Sequence, residues 1–327
     1  MDGEPTIELV RRGAEFARQE KCDLVIAFGG GSAIDTGKAI AALLANPGEL
    51  MDYLEVVGKG RPLEHAGAPF IAVPTTAGTG SEVTRNAVLG VPERRVKVSL
   101  RSPLMLARLA AIDPELARDL PPAITAYTGL DALTQLIEAY VSIRANPMTD
   151  GFCLKGIECA ARSLRRAYHD GHDAEARRDM SLAALLSGLS LANAGLGVVH
   201  GFAGPLGGKV PAPHGAICAA ILPQGMEINL RALRARAPQS EALRRYDQVA
   251  RLLTGQAGAT ADAGVAWARE TCRELDIPLL AAYGVSERDF PELIAEAQKA
   301  SSMKGNPLVL TPEELQEVLQ QSLGIVD

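Results

Sequence analysis

Two histidines lie fourteen residues apart in a segment with few other polar side chains. His200 and His214 bound the stretch HGFAGPLGGKVPAPH, whose glycines and prolines predict a loop that folds one ring back toward the other. A single histidine among apolar residues is more often a hydrogen-bonded core residue than a ligand. Two converging neutral imidazoles, with no nearby Cys, favour a Zn²⁺ or Fe²⁺ site that a carboxylate from elsewhere would complete.

The best carboxylate for such a site lies in the stretch TAYTGLDALTQLIEAYVS, which predicts a helix from about Pro122 to Ile143. Asp131 and Gln135 are four residues apart on this helix, so they share a face. A buried carboxylate is costly unless it is paired or binds a metal, which favours Asp131 as a ligand. Glu138, on a neighbouring face, is interpreted as a cap, a pair or a solvated residue.

A glycine-rich turn near the start of the chain has the form of a phosphate site. The apolar run LVIAF predicts a buried strand, and the glycines at 29, 30 and 31 then form a tight turn before a helix. Glycines there let backbone N–H groups at the helix N-terminus approach an anion such as diphosphate. The turn lacks the GxGxxG pattern, and many such junctions use Gly only to turn, so both interpretations stay open. Asp35 and Lys38 could equally cap or pair locally.

A second turn, rich in hydroxyl groups, follows the predicted strand PFIAV and contains Thr75, Thr76, Thr79 and Ser81. Ligands of open α/β sheets bind beyond the carboxyl ends of the strands, where both turns would meet. Hydroxyls there could hold ribose and phosphate, and the alternative is a turn that only caps the next helix. Lys97, on the predicted strand RRVKVSL, could point into the same crevice or into solvent.

Strand patterns nearly vanish after Asp113-Pro114, and helices then follow one another. We therefore predict two domains: an α/β domain over residues 1–116 with a partial parallel sheet, and an all-helical domain over 117–327. A charged connector is expected from His169 to Asp179. Helices are expected over 5–20, 34–44, 122–143, 147–168, 180–195, 237–254, 261–275 and 312–323.

Composition limits the classes of partner. A formal net charge of −6 argues against nucleic acid or an anionic membrane as the main partner and favours a small molecule. Five scattered cysteines, never in a CxxC pair, predict a reducing, cytoplasmic setting without a disulfide framework. The uncharged stretch from Ser181 to Val199 is long enough to span a bilayer, but its Ser, Gly and Asn content favours a buried helix.

Four motifs in this order, GGGSAIDTGKAIA, PTTAGTGSEVT, GLDALTQLIEAY and HGFAGPLGGKVPAPHG, closely resemble the iron-containing alcohol dehydrogenase family. The resemblance runs through essentially the whole chain. It implies a dehydroquinate synthase-like fold, in which a Rossmann-like dinucleotide-binding half and a helical metal-binding half enclose the site. It also implies hydride transfer between NAD or NADP and a small alcohol or aldehyde, with Fe(II) or Zn as the metal and a possible homodimer.

The resemblance also implies roles for individual residues. Those of the cofactor pocket would be Gly30, Gly31, Ser32, Asp35, Thr75, Thr76, Thr79 and Lys97. The metal and the catalytic centre would be held by Asp131, His200 and His214, with Gln135 as a further metal ligand.

Three departures from the family pattern keep other functions open. Gln135 stands where iron-binding members usually have histidine, and its weaker amide oxygen makes Zn equally suitable. Gly204 stands where iron-dependent relatives often have a histidine near the substrate. Relatives have some tens of residues before the position of Met1, and a missing early strand would expose a hydrophobic edge. The alternatives are reduction of an anionic carbonyl compound, as in the maleylacetate reductase branch, and a non-catalytic truncated paralogue.

Overall fold

The computed structural model describes residues 5–94 and 96–324. The strands are β1 (Val25–Gly29), β2 (Phe70–Pro74), β3 (Asn86–Val91), β4 (Val96–Arg101) and β5 (Leu109–Ala110). The helices are α1 (Ile7–Gln19), α2 (Gly31–Ala45), α3 (Leu50–Tyr53), α4 (Pro122–Val141), α5 (Pro147–His169), α6 (Ala174–Ala194), α7 (Val198–Lys209), α8 (His214–Arg236), α9 (Glu241–Thr254), α10 (Ala261–Glu274), α11 (Phe290–Lys299) and α12 (Pro312–Leu323). All described strands thus precede the long helices α4 to α12, as expected.

The parallel sheet has the order β1-β2-β5, with Ala27 of β1 opposite Ala72 of β2. Helix α2 covers one of its faces, and Gly37 permits the close approach, since a Cβ there would lie 2.8 Å from the Ala27 side chain. β1 is an edge strand of the described sheet. Its Ile26 and Phe28 are 59% and 64% exposed while Ala27 between them is buried, so the face of β1 opposite α2 is uncovered within the described residues.

A second sheet, which the sequence analysis did not predict, is the antiparallel pair β3-β4. Alternate residues of both strands, such as Leu89 and Leu100, are buried against α1 and α2, where they meet Val10. This is the hydrophobic alternation of a sheet with one covered face. The strand that carries Lys97 therefore belongs to a hairpin beside the parallel sheet and not to that sheet.

Helix α4 is the centre of the helical part. Every residue from Gly129 to Val141 is buried, because α5, α6 and α8 pack around the helix. Its start is defined by Pro122 at the first helical position, where the missing N–H is not needed. A helix buried on all sides is the most rigid support the fold offers for a functional side chain.

The structure corrects two predictions about the segments beside α6. The expected connector from His169 to Asp179 is mostly helical, since Asp173 accepts a hydrogen bond from Ala176 N and starts α6. The expected loop between the histidines is also wrong: α7 extends to Lys209 and only residues 210–213 separate it from α8. Burial between α4, α8 and α11 outweighs the weak helix propensity of the Gly- and Pro-rich sequence.

The uncharged stretch from Ser181 to Val199 is not one helix. It contains the end of α6 and the start of α7, and the two helices are bent by 99° relative to each other. Across the described ranges no single helix combines the length and apolar composition needed to cross a bilayer; only this bent pair reaches them together.

Candidate active site

Four potential metal donors from α4, α7 and α8 converge in the helical part. Asp131 Oδ1 lies 3.2 Å from His200 Nε2 and 3.8 Å from His214 Nε2. Cys218 Sγ lies 3.7 Å from the Nε2 atom of each histidine. All four donor atoms are within 4.8 Å of one another. The structure thus brings together the three predicted ligands and adds a thiol.

The ring of His200 is oriented by Glu138, two helical turns beyond Asp131 on α4. His200 Nδ1 donates to Glu138 Oε2 at 2.7 Å, and both side chains are almost fully buried. This bond leaves the lone pair of Nε2 directed at the cluster. A carboxylate on the far nitrogen is the usual partner of a metal-binding histidine. Of the three interpretations made from sequence, a cap, a pair or a solvated residue, Glu138 is both a cap and a pair, and its burial rules out the third.

The N-terminus of α7 is held by side chains from distant parts of the chain. Gly197 precedes the helix and has no side chain to cap it, so Glu138 Oε1 accepts from Val199 N at 2.7 Å and Asn306 Oδ1 accepts from Val198 N at 3.0 Å. A Cβ at Gly197 would lie 2.7 Å from Asn306 Oδ1, so only glycine fits there. His200 is placed by this capping arrangement.

His214 begins α8, where that helix comes close to α4. A Cβ at the next residue, Gly215, would lie 2.3 Å from Tyr127 O and 3.4 Å from the Asp131 side chain, so the contact requires glycine. The His214 side chain is about one third exposed, whereas those of Asp131 and His200 are nearly inaccessible. The site therefore has a closed side toward α4 and an accessible side at His214.

Gln135 lies beside the cluster but turns its oxygen away from it. Its Nε2 donates to Asp131 Oδ2 at 3.4 Å, and its Oε1 accepts from Ser187 Oγ at 3.0 Å. An amide nitrogen is the end that suits a carboxylate neighbour. Gln135 thus presents a hydrogen-bond donor to Asp131, and this arrangement offers no support for the predicted role of its oxygen as a metal ligand.

Electrostatics within the cluster favour the charged forms of its members. Burial opposes the charged ring of His200, but the neighbouring Cys218, Asp131 and Glu138 outweigh it and raise the pKa of His200 well above its usual value. Burial also lowers the pKa of His214, but Cys218 and Asp131 raise it by more, so its pKa is raised overall. Burial alone would raise the pKa of Asp131, yet both histidines lower it. An incoming cation must therefore displace protons from the rings.

The glycine turn and the threonine turn meet at the carboxyl ends of β1 and β2. Thr75 N donates to Gly29 O at 3.0 Å, which joins the two turns. A Cβ at Gly30 would lie 3.2 Å from Thr76 Cγ2, and a Cβ at Gly31 would lie 2.8 Å from Thr79 Oγ1. The glycines thus leave a backbone surface that side chains would fill, at the N-terminus of α2, next to Ser32.

Asp35 is engaged within the protein. One oxygen accepts from Ser81 Oγ and lies 3.3 Å from Lys38 Nζ, and the other accepts from Val88 N at 2.9 Å. Lys38 is itself 1% exposed and also donates to Ser81 O at 2.8 Å. The local pairing weighed as an alternative for these two residues is what the structure contains. Any contact of Asp35 with a cofactor would add to these bonds.

Lys97 contacts α7, and Gly204 is part of that helix. A Cβ at Gly207 would lie 2.8 Å from Lys97 Nζ, so this lysine reaches across from β4 to the helix that carries His200. Gly204, one turn after His200, is exposed, and no atom from another part of the chain lies within 4 Å of where its Cβ would be. A side chain at this position would therefore extend into open space.

The threonine turn is linked to the metal-ligand cluster by a short chain of contacts. Ser187 Oγ lies 3.2 Å from Gly78 O and 3.0 Å from Gln135 Oε1, and Gln135 contacts Asp131. A Cβ at Gly78 would also lie 2.7 Å from Thr128 Cβ on α4. The turn proposed for a cofactor and the predicted metal ligand are thus neighbours across the two halves of the fold.

The donor set passes a chemical test for a divalent metal. With Nδ1 of His200 donating to Glu138, Nε2 and Asp131 Oδ1 are two lone-pair atoms facing each other at 3.2 Å, which requires a proton or a cation between them. Nitrogen and oxygen donors of this kind suit Zn²⁺ or Fe²⁺. The cradle at Gly30 and Gly31 likewise fits an anion such as the diphosphate of a dinucleotide.

Sequence reasoning missed two members of this site. Its statement that no Cys lies near the histidines is wrong, since Cys218 follows His214 by four residues on α8 and therefore shares its face. The i, i+4 spacing would have indicated this if α8 had been predicted to begin at His214. Asn306, in the last hundred residues, had no signal, because its capping role depends on contacts 108 residues away in the chain.

The chain is similar to proteins of one family along most of its length. A family model described as iron-containing alcohol dehydrogenase matches residues 1–114, and one for the C-terminal part of the Fe-containing alcohol dehydrogenase family matches residues 125–323. A choline dehydrogenase of Bacillus subtilis (strain 168) is 40% identical over 303 residues, which are 93% of this chain and 74% of that protein. An alcohol dehydrogenase 4 of Schizosaccharomyces pombe is 38% identical over 98% of this chain and 73% of its own length. A solved 1,3-propanediol oxidoreductase superposes with a TM-score of 0.88 at 36% identity, over 98% of this chain and 82% of that one.

Proposed function

The chain belongs to the iron-containing alcohol dehydrogenase family, and from this premise we propose that Asp131, His200 and His214 bind its catalytic metal. It is an oxidoreductase that transfers hydride between a nicotinamide cofactor and a small alcohol or aldehyde. The observation that carries the proposal is the convergence of one carboxylate and two imidazoles from three helices on one point. Such a set leaves room for substrate beside the metal.

The protein's own residues have separate tasks in this proposal. The metal when bound supplies Lewis acidity at the substrate oxygen, and the nicotinamide accepts or donates the hydride. Glu138 orients the His200 ring, and the nearly inaccessible Asp131 keeps its charge at the closed side of the site. The exposed side near His214 and Gly204 is where the substrate enters.

The cofactor is proposed to lie along the two turns. Gly30, Gly31 and Ser32 would present backbone N–H groups at the start of α2 to the diphosphate, and the threonine turn would face the ribose. The proposed pocket is completed by Thr75, Thr76, Thr79 and Lys97. Asp35 supports it by accepting hydrogen bonds from Ser81 Oγ and Val88 N. The contact between Gly78 O and Ser187 places this turn next to the cluster, as hydride transfer between the two sites requires.

The proposed function also bears on the domain bounds, the cellular setting and the oligomeric state. We infer that residues 1–116 and 117–327 are the dinucleotide-binding and metal-binding domains. The five cysteines are free in the structure, which supports a reducing cytoplasmic setting. A homodimer is the oligomeric state we expect, with no nucleic acid or membrane as partner.

The first test is a titration of the chain with NADH, with Zn²⁺ or Fe²⁺ supplied, followed by nicotinamide fluorescence. Saturable binding is expected, and Ser32→Arg should abolish it because a long side chain would fill the cradle. Gln256→Arg, which adds the same charge in an exposed loop, should bind normally. Absence of binding by the unaltered chain would contradict the proposal and support the non-catalytic alternative.

The metal assignment is tested with His214→Ala. This side chain is partly exposed, so its loss should leave the fold intact while reducing both bound metal and turnover of small primary alcohols. His169→Ala, at an exposed position on α5, is the matched control. Full metal content and a normal rate in His214→Ala would overturn the assignment.

A further inference from the structure

The fourth donor in the cluster is a thiol that the proposed function does not use. Cys218 is fully buried and lies one turn after His214 on α8, so that both side chains project toward Asp131. Its Sγ is equidistant from the two imidazole nitrogens, at 3.7 Å from each. The sulfur thus completes a cluster with the three oxygen and nitrogen donors and is not merely a neighbour of one of them.

The separations in this cluster match those of a tetrahedral zinc site. Bond lengths of about 2.0–2.1 Å to nitrogen and about 2.3 Å to sulfur imply ligand-to-ligand distances of about 3.4 Å for N and O pairs and about 3.6 Å for S and N pairs. Four of the six separations in the structure are close to these values: 3.2 and 3.8 Å for Asp131 with the histidines, and 3.7 Å twice for Cys218. All six are within 4.8 Å, so small shifts of the side chains would bring the four atoms onto one small cation.

The residue that would otherwise be the fourth donor is turned away. Gln135 directs its amide nitrogen at Asp131 and its oxygen at Ser187, so it offers no lone pair to a cation in the cluster. A thiol in place of an amide or imidazole changes metal preference, because thiolate is a soft ligand that favours zinc over the harder divalent ions.

We propose that Cys218 is a metal ligand as its thiolate, so that the site is an Asp-His-His-Cys zinc site. This inference rests on the proposed function only in that Asp131, His200 and His214 hold the same metal. It assigns a donor outside the set that sequence reasoning predicted, and it selects zinc from the two metals left open there.

The experiment replaces the spectroscopically silent metal by Co²⁺ in the full chain. Titration of metal-free protein with Co²⁺ should produce a near-ultraviolet sulfur-to-cobalt charge-transfer band that saturates at one equivalent. In Cys218→Ser the band should disappear while weaker visible cobalt bands remain. Cys272→Ser, which alters a thiol that contacts the same helix at Ala219 O, should keep the band.

X-ray absorption at the zinc edge gives a second readout that needs no variant. The zinc-loaded chain should show one sulfur about 2.3 Å from the metal, beside nitrogen and oxygen donors at about 2.0–2.2 Å. Zinc affinity should fall in Cys218→Ser by more than the roughly 10–100-fold that loss of an outer hydrogen-bonding partner costs.

The outcomes separate this inference from the proposed function. Cobalt binding without the charge-transfer band, with no sulfur at bonding distance from the zinc, would overturn the thiolate ligand and leave the three-residue metal site intact. Failure of the unaltered chain to bind Co²⁺ or Zn²⁺ at all would overturn the metal site itself.

Discussion

Glu138 connects the chemistry of the cluster to its support. It accepts from the ring of His200 with one oxygen and from the backbone of Val199 with the other, so one carboxylate orients a ligand and caps a helix. Groups that hold ligands in this way are needed for metal affinity nearly as much as the ligands themselves. The functional site therefore includes Glu138 as well as the residues that carry the donor atoms.

We expect Glu138→Gln to weaken metal binding by roughly 10–100-fold. The amide has one acceptor oxygen for the two donors that the carboxylate serves, so either the ring or the helix N-terminus loses its partner. Competition for Zn²⁺ with a chromophoric chelator measures the change.

Glu158→Gln, on the exposed side of α5, removes the same charge without touching the cluster and should leave zinc affinity unchanged. Equal affinities for the two variants would show that Glu138 does not act on the metal ligands.

At the level of single residues, the role of a side chain could be predicted where it depended on local spacing. It could not be predicted where it depended on partners distant in sequence. Asp131, His200 and His214 were identified from apolar surroundings, and the structure brings all three together. The orientation of Gln135 depends on Ser187, which lies 52 residues further along the chain and carries no motif of its own. No local pattern encodes such a pairing.

At the scale of elements, the start of α7 depends on a segment from the end of the chain. Asn306 accepts from Val198 N and exchanges two hydrogen bonds with Asn229, at 2.7 and 3.1 Å. All of these groups are buried. The loop that contains Asn306 is thus part of the frame that holds His200, although it contributes no donor.

Asn306→Ala should lower the thermal midpoint and loosen metal binding together. It leaves Val198 N and Asn229 Oδ1 buried without their hydrogen bonds, although Asn229 Nδ2 keeps its bond to the Tyr246 hydroxyl. Each unpaired group costs about 1–3 kcal/mol. Asn193→Ala, which removes an exposed amide from α6, should cost far less. Calorimetry with and without Zn²⁺ measures both effects, and a loss of stability with unchanged zinc affinity would separate Asn306 from the site.

The packing of α5 on α6 contains an ion pair that makes stability depend on pH. Burial raises the pKa of Asp179, but hydrogen bonds from Arg162 and Ser163 outweigh it, and the pKa is lowered overall. The ionised carboxylate is the form that the folded state prefers. Its contribution is therefore complete above the ordinary carboxyl pKa of about 4 and is lost as the pH falls through the lower folded value.

We expect Asp179→Asn to be less stable than the unaltered chain by about 2 kcal/mol at neutral pH. The difference should be the same at pH 7 and pH 5 and should shrink below about pH 4, where the wild-type carboxyl group becomes protonated. Thermal unfolding at a series of pH values measures it. A difference that grows as the pH falls would contradict the assigned pKa direction.

The elements themselves were predicted unevenly. The helices α4, α10 and α12 were predicted within a few residues of their bounds. The helix α7 was predicted as a loop because its glycines and proline have poor helix propensity, and only burial makes it helical. The strand β4 that carries Lys97 was predicted, but its partner β3 and their antiparallel pairing were missed.

At the scale of the whole molecule, metal binding should stabilise the entire chain, because the donors come from three helices that belong to two different hydrophobic clusters. A ligand at 100 times its dissociation constant adds about 2.7 kcal/mol to folding. Because zinc binds only the folded state, we expect Zn²⁺ to raise the thermal midpoint of the metal-free chain, and a chelator should reverse that rise. His214→Ala should show no such dependence, and an equal zinc-induced shift in that variant would place the bound ion elsewhere.

The general architecture was the most predictable level. An α/β part followed by helices was indicated by the loss of strand patterns, and the structural relatives have the same fold. How the halves join at Gly78, Ser187 and Gln135 could not be predicted, because each contact joins residues on different elements.

The dependence of α7 on Asn306 has a consequence for biosynthesis. Ribosomes add about 5–20 residues per second, so Asn306 is made roughly 5–20 seconds after His200. During that interval all four donors have been synthesised, while the N-terminus of the helix that carries His200 still lacks one of its caps. We therefore expect the ion to enter only after synthesis is nearly complete, from whatever pool of metal the finished chain then meets.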